Sequence, residues 1–175
     1  MINNQTNIFQ FQYILRTVLQ ILLINHHGFF LHASANNING KANLFLGKNR
    51  AGKSTISQLI RSKYSVLADD MVIVKKENNI FKLYQSPYME KNQNFKRGSG
   101  YYIIDRIFFL KKASFCKLEK IENKKLILLK VLSQLYTDKE SKIKQVGYIF
   151  DLISRVNKFY ILYFTKDGEK LKNLL

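Results

Sequence analysis

Ala42-Asn43-Leu44-Phe45-Leu46-Gly47-Lys48-Asn49-Arg50-Ala51-Gly52-Lys53-Ser54-Thr55 is the stretch on which the fold turns. Ala42 to Leu46 is apolar enough for a buried strand, and Ile56, Leu59 and Ile60 recur at helical spacing over residues 54–61. Between them Gly47 to Ser54 satisfies G-x-x-x-x-G-K-[ST] without a gap. Glycines let successive backbone N–H groups close around an anion, and a helix start adds a favourable dipole. Residues Gly47, Lys48, Asn49, Arg50, Ala51, Gly52, Lys53, Ser54 and Thr55 are therefore the candidate cradle for the phosphates of ATP. Lys53 supplies charge to the β- and γ-phosphates, and the Ser54 hydroxyl offers a ligand to Mg2+.

Working outward, residues 11–24 read as a helix, with Ile14, Val18, Ile21 and Leu22 sharing one face and Gly28 as its C-terminal cap. Residues 29–33 suit a strand. Residues 36–40 suit a turn, with Asn39-Gly40 the hairpin signal that returns 29–33 beside 42–46. Residues 65–68, 71–74, 80–84, 101–110, 115–121 and 159–164 read as extended, and Asn78-Asn79 as a turn. Residues 122–135, 140–156 and those from Gly168 onward read as helical, and 86–100 as a long loop. The sum is an α/β fold whose mixed, hairpin-containing sheet is flanked by helices. It departs from an even βαβ rhythm, and no linker divides residues 1–175 into more than one domain.

Asp69-Asp70 follows a short apolar strand downstream of the loop. A carboxylate there can hold Mg2+ beside Ser54 or accept the proton of an attacking hydroxyl. In extended backbone the two side chains point to opposite faces, so the roles of Asp69 and Asp70 stay unassigned between base and metal support. His32 interrupts an otherwise apolar strand and is a candidate near the reacting phosphate, against the plainer reading of a satisfied core histidine. His26 and His27 read as helix-end residues.

Composition narrows the remaining classes. The net charge is +17, yet Arg16 is the sole basic residue among the first 40, and beyond them lysines are scattered, often as pairs such as Lys111-Lys112. No recognition-helix pattern emerges, so nucleic acid is not the favoured partner, although an anionic partner stays open. The single cysteine, Cys116, excludes an intrachain disulfide and points to a reducing compartment. The apolar run at residues 14–24 contains Arg16, Thr17 and Gln20 and is too short to span a bilayer. A cytoplasmic protein without a transmembrane segment is expected, and assembly into a homo-oligomer stays open.

His32, the Asn39-Gly40 turn, ANLFL, GKNRAGKS and VLADD together resemble the catalytic domain of HPr kinase/phosphorylase and its shorter relatives, grouped structurally with phosphoenolpyruvate carboxykinase. SPYMEK, IIDRIFFLKK and the closing FYILYFTKDGEKLKNLL extend the resemblance over roughly residues 11–175. It implies a kinase using ATP and Mg2+. In that reading Lys53 grips the transferred phosphate, Ser54 holds the metal, Asp69 and Asp70 supply base and metal support, and His32 lies near the reacting group. The regulatory N-terminal domain, the glycine-rich second signature and the HPr-docking helix of that family are not found, so HPr is not the expected acceptor. Transfer of the γ-phosphate to a hydroxyl of an unidentified protein, peptide (on serine, for instance) or small molecule is the leading expectation. A nucleotide-dependent switch without transfer is the alternative. Arg97 and Arg106 are candidates to complete the clamp, with a surface role the plainer reading for both. No LSGGQ-like signature supports an ABC-type ATPase.

Overall fold

The computed structural model describes residues 7–86, 100–137 and 139–175. Among the described residues ten strands form one open mixed sheet, carried by β1 (Gly28–Leu31), β2 (Ala33–Ile38), β3 (Lys41–Leu46), β4 (Val66–Ala68), β5 (Val72–Glu77), β6 (Ile80–Gln85), β7 (Tyr101–Lys112), β8 (Lys117–Lys120), β9 (Leu135–Tyr136) and β10 (Phe159–Phe164). The helices are α1 (Ile8–Asn25), α2 (Lys53–Leu59), α3 (Lys124–Leu132), α4 (Lys139–Arg155) and α5 (Gly168–Leu174).

The long strand β7 is the joint of the sheet. Its first residues, Tyr101 to Ile103, pair antiparallel with β6, which continues through β5 and β1 to β9. Its later residues pair parallel with β3 on one edge and with β10 on the other. Beyond β3 the order runs through β2 to β4, and beyond β10 lies β8.

Strands at the centre are apolar at consecutive positions because helices cover both faces. Leu44, Leu46, Ile107 and Phe109 face the layer that includes Ile127 and Val131 of α3 and Ile149, Leu152 and Ile153 of α4. Their neighbours Phe45 and Phe108 face the opposite layer with Ile56 and Ile60 on the α2 side and Leu171 of α5. Phe45 and Phe108 stack across the β3–β7 pair with centroids 5.1 Å apart. α1 packs against a third cluster around Phe30, Met71 and Ile73.

Several expectations need correction. Residues 29–33 do not form the strand beside the loop strand. The chain breaks at His32, β1 pairs with β5 and β9, and it is β2 that lies against β3 in the register Ala33↔Leu46 to Ile38↔Lys41. Residues 36–38, read as turn, are strand, because Ser34 and Asn36 are buried polar residues with partners on α2 and just beyond it. The Asn39-Gly40 turn stands, with φ of 53° and 79°. A further correction concerns the end of α1. His27, not Gly28, takes the left-handed conformation, with φ of 57°. Gly28 already belongs to β1, where a Cβ would stand 2.8 Å from Leu23 Cδ2. Ile14, Val18, Ile21 and Leu22 do share a face of α1, and it is the exposed one, while Leu15, Leu19 and Leu23 pack inward. The loop expected over residues 86–100 lies mostly outside the described residues, and 113–116 is a turn ahead of the shorter strand β8.

Candidate phosphate-binding site

The loop from Gly47 to Gly52 joins β3 to α2 as expected. Ala51 donates its N–H to Lys48 O at 3.0 Å, which folds the loop back on itself. Arg50 has a φ of 63° and is exposed, as are Lys48, Asn49 and Ser54, while Thr55 is half-buried. Two glycines are required by contact. A Cβ on Gly47 would stand 2.7 Å from Ala51 Cβ, and one on Gly52 only 2.5 Å from Phe164 Cζ at the end of β10. Gly52 also has a φ of 107° at the N-cap of α2.

Lys53 is buried, and its Nζ donates to Gly47 O at 2.7 Å and Lys48 O at 3.3 Å. Burial lowers its pKa, and the charge of Asp70 acts in the opposite sense. The loop thus encloses its own cation among carbonyls. Ser34 secures the next turn from behind, donating from Oγ to Lys53 O at 2.9 Å. Asn36 Nδ2 donates to Ser57 O and Tyr64 O at 3.3 and 3.1 Å, which fixes α2 and the turn after it to β2. Sequence reading missed both residues. The signal was present as polar residues at alternate positions, S-x-N, on a strand with alanines between them.

His32 and Asp70 meet because two breaks in the sheet coincide. β1 and β5 pair as Leu31↔Val72, and β2 and β4 pair as Ala35↔Ala68. His32 fills the first break and Asp69-Asp70 the second. His32 N–H donates to Gln134 O at 2.9 Å, and its Nε2 lies 2.9 Å from Asp70 Oδ1. The aspartates lie in the bend between β4 and β5, and their side chains separate. Asp69 is buried at 3% exposure, whereas the Asp70 side chain is 61% exposed. The geometry therefore gathers Lys53, Asp70 and His32 on one side of the loop.

Among the described residues no three His, Cys, Asp or Glu side chains form a metal site. The oxygens of Ser54, Asp69 and Asp70 are hard donors, the kind that Mg2+ takes and zinc sites seldom use. Arg106 is not a clamp residue: it donates to Asn43 Oδ1 at 2.8 Å and to Leu175 O at 2.9 Å. Arg97 lies outside the described residues. Beside the loop opens a cleft of about 510 Å3, walled by Leu46, Phe109, Leu110 and Leu129 and edged by lysines, which the sequence did not foreshadow.

The class is thus a mixed α/β protein with an open sheet flanked by helices and a glycine-bounded loop between β3 and α2. Among solved structures it is similar to an HPr(Ser) kinase/phosphatase from Coxiella burnetii, at 15% identity and a TM-score of 0.39, over 70% of this chain and 95% of that one. At that TM-score the likeness is one of fold at most and carries no weight for activity. No protein-family model and no curated protein matches the chain. No helix among the described residues is long and apolar enough to cross a membrane.

Proposed function

We propose that residues 1–175 act as a single ATP-dependent phosphotransferase domain that moves the γ-phosphate to a hydroxyl of a peptide, protein or small-molecule acceptor. The observation that carries this reading is the pair of His32 Nε2 and Asp70 Oδ1 at 2.9 Å, with Asp70 acting on Lys53 of the phosphate loop. A loop that only binds nucleotide needs no exposed carboxylate held by a histidine beside it. A transferase does, because the acceptor hydroxyl must lose its proton as its oxygen bonds to phosphorus.

In this mechanism Lys53 exchanges its two carbonyl partners for phosphate oxygens of ATP and offsets their charge. The loop N–H groups and the Gly52 turn hold the polyphosphate in line with the acceptor. Asp70 takes the proton of the attacking hydroxyl, while His32 fixes the carboxylate's orientation. The bond between the γ-phosphorus and the bridging oxygen breaks, and ADP leaves with that electron pair. Ser54, with a carboxylate oxygen of the Asp69-Asp70 pair, would hold Mg2+, which would supply further neutralisation of phosphate charge.

Incubation with γ-labelled ATP, MgCl2 and hydroxyl-bearing acceptors tests the proposal. Label should pass to an acceptor with wild type and fall by about a hundredfold or more with Asp70→Asn and Lys53→Ala. His32→Asn should lower kcat by about tenfold with little change in KM for ATP, as expected for a residue acting through Asp70. Tight ATP binding with no transfer to any acceptor would replace this reading by a nucleotide-dependent switch.

A further inference from the structure

The cleft beside the loop has an unusual balance of chemistry. Its floor is apolar, with Phe109 and Leu110 of β7 and Leu129 of α3, yet Lys48, Lys111, Lys112 and Lys130 stand around it. None of the described residues lining it is acidic. Nor do the ion pairs among the described residues involve any of these four lysines. Two of the four are held by aromatic faces instead: Lys130 Nζ lies 5.4 Å from the Phe109 ring centroid and Lys111 Nζ 5.0 Å from that of Tyr163. Cations gathered without counter-charge raise the local concentration of an anionic ligand.

The position of the cleft relative to the loop says which ligand. It borders Gly47, Lys48 and Ala51, the early part of the loop, and does not reach Ser54 or Thr55. Gly47 and Lys48 are also the residues whose carbonyls hold Lys53 Nζ, the group that reaches for the β- and γ-phosphates. Ser133 and Gln134 line its other side, and Gln134 O accepts the N–H of His32. The cleft is therefore flanked by the loop residues whose carbonyls hold Lys53 and by Gln134, whose carbonyl holds the His32 N–H, and is adjacent to the loop without being lined by Lys53, His32 or Asp70 themselves. Its volume of about 510 Å3 falls within the roughly 300–1,000 Å3 of small-ligand sites.

We infer that this cleft is the acceptor site, and that the acceptor carries negative charge and an apolar portion beside its hydroxyl. The inference rests on the phosphotransfer reading. Lys111, Lys112 and Lys130 select the anion, and the Phe109–Leu110–Leu129 surface takes the apolar part. The same chemistry is offered by a serine flanked by acidic residues in a peptide and by a free hydroxy acid or phosphate ester.

Three pools of short serine peptides, flanked by Asp and Glu, by Ala, or by Lys, together with malate and glycerol phosphate, are presented with γ-labelled ATP and MgCl2. ATP affinity is measured separately by calorimetry. Wild type should label the acidic pool or the free anions with a kcat/KM about tenfold above the alanine pool, and the lysine pool least. Which of the two anionic arms is labelled identifies the source. Lys111→Glu, Lys112→Glu and Lys130→Glu combined should erase that preference with ATP affinity unchanged. The corresponding Gln variants, which remove the charge without reversing it, should weaken it in the same direction. Equal labelling of the three pools, with the free anions no better, overturns the inference while phosphotransfer stands. Loss of ATP affinity in the Gln variants also overturns it, since the cleft then holds the nucleoside. ATP binding without label on any acceptor removes the phosphotransfer reading, and the inference with it.

Discussion

Gly52 is constrained twice, by a φ of 107° that L side chains rarely adopt and by the Phe164 ring tip, 2.5 Å from where a Cβ would lie. Gly52→Ala should therefore cost about 3 kcal/mol in unfolding free energy, the sum of backbone strain and overpacking. Urea denaturation measures it. The same substitution in a Phe164→Leu background should cost measurably less, because the ring that it strikes is gone. A cost equal in both backgrounds would place the whole effect in the backbone. His32 carries a different lesson at this scale. Its chemistry could be guessed from the sequence, but neither its place in the break between β1 and β2 nor its partner, because Asp70 is brought to it by a register shared across two separate strand pairs.

At the scale of elements, β2 governs how α2 is held. Asn36 spans the sheet to the carbonyls of Ser57 and Tyr64, so Asn36→Ala should cost about 2 kcal/mol by leaving buried carbonyls without a donor. Thermal unfolding checks this, and nucleotide affinity should fall with it as the loop loses its anchor. The β5–β6 hairpin makes a prediction in pH. Hydrogen bonds from Lys75, then Lys82 and Tyr84, lower the Glu77 pKa from 4.5 to about 2. A carboxyl depressed in the folded state stabilises above its unfolded pKa, and that contribution is lost as pH falls from 4.5 toward 2. Glu77→Gln should be the less stable protein at neutral pH, with the gap closing across that acid window in a series of melting curves. The loop, α2, the Asn39-Gly40 turn and the pairing of apolar strands with helices were legible because each is written locally, in glycines or in period. The face of α1 was not, since apolar residues surround most of that helix and period alone selects no side. The extent of β2 was not either, because Asn36 and Asn37 are turn formers in isolation and become strand residues only when α2 supplies a partner for Asn36.

At the scale of the molecule, the two layers of helices and both arms of the sheet meet on β7. The candidate site lies at the edge of that junction, with the loop leaving β3 and the lysine-edged cleft following the last residues of β7. The +17 charge, read from the sequence as a diffuse surface, acquires a place there: Lys111, Lys112 and Lys130 gather around the cleft beside the loop. Such a location could not be read from scattered dipeptides, because Lys111-Lys112 and Lys130 come together only through the packing of α3 beside β7.

Ile107, Phe108 and Phe109 have strand neighbours on both edges, β3 on one and β10 on the other, and helices above and below. Their amide protons are released to deuterium only when the whole domain opens. They should exchange last of all, at a rate set by global unfolding. The amides of the Gly47 to Gly52 loop should exchange orders of magnitude sooner, and slow when ATP is added.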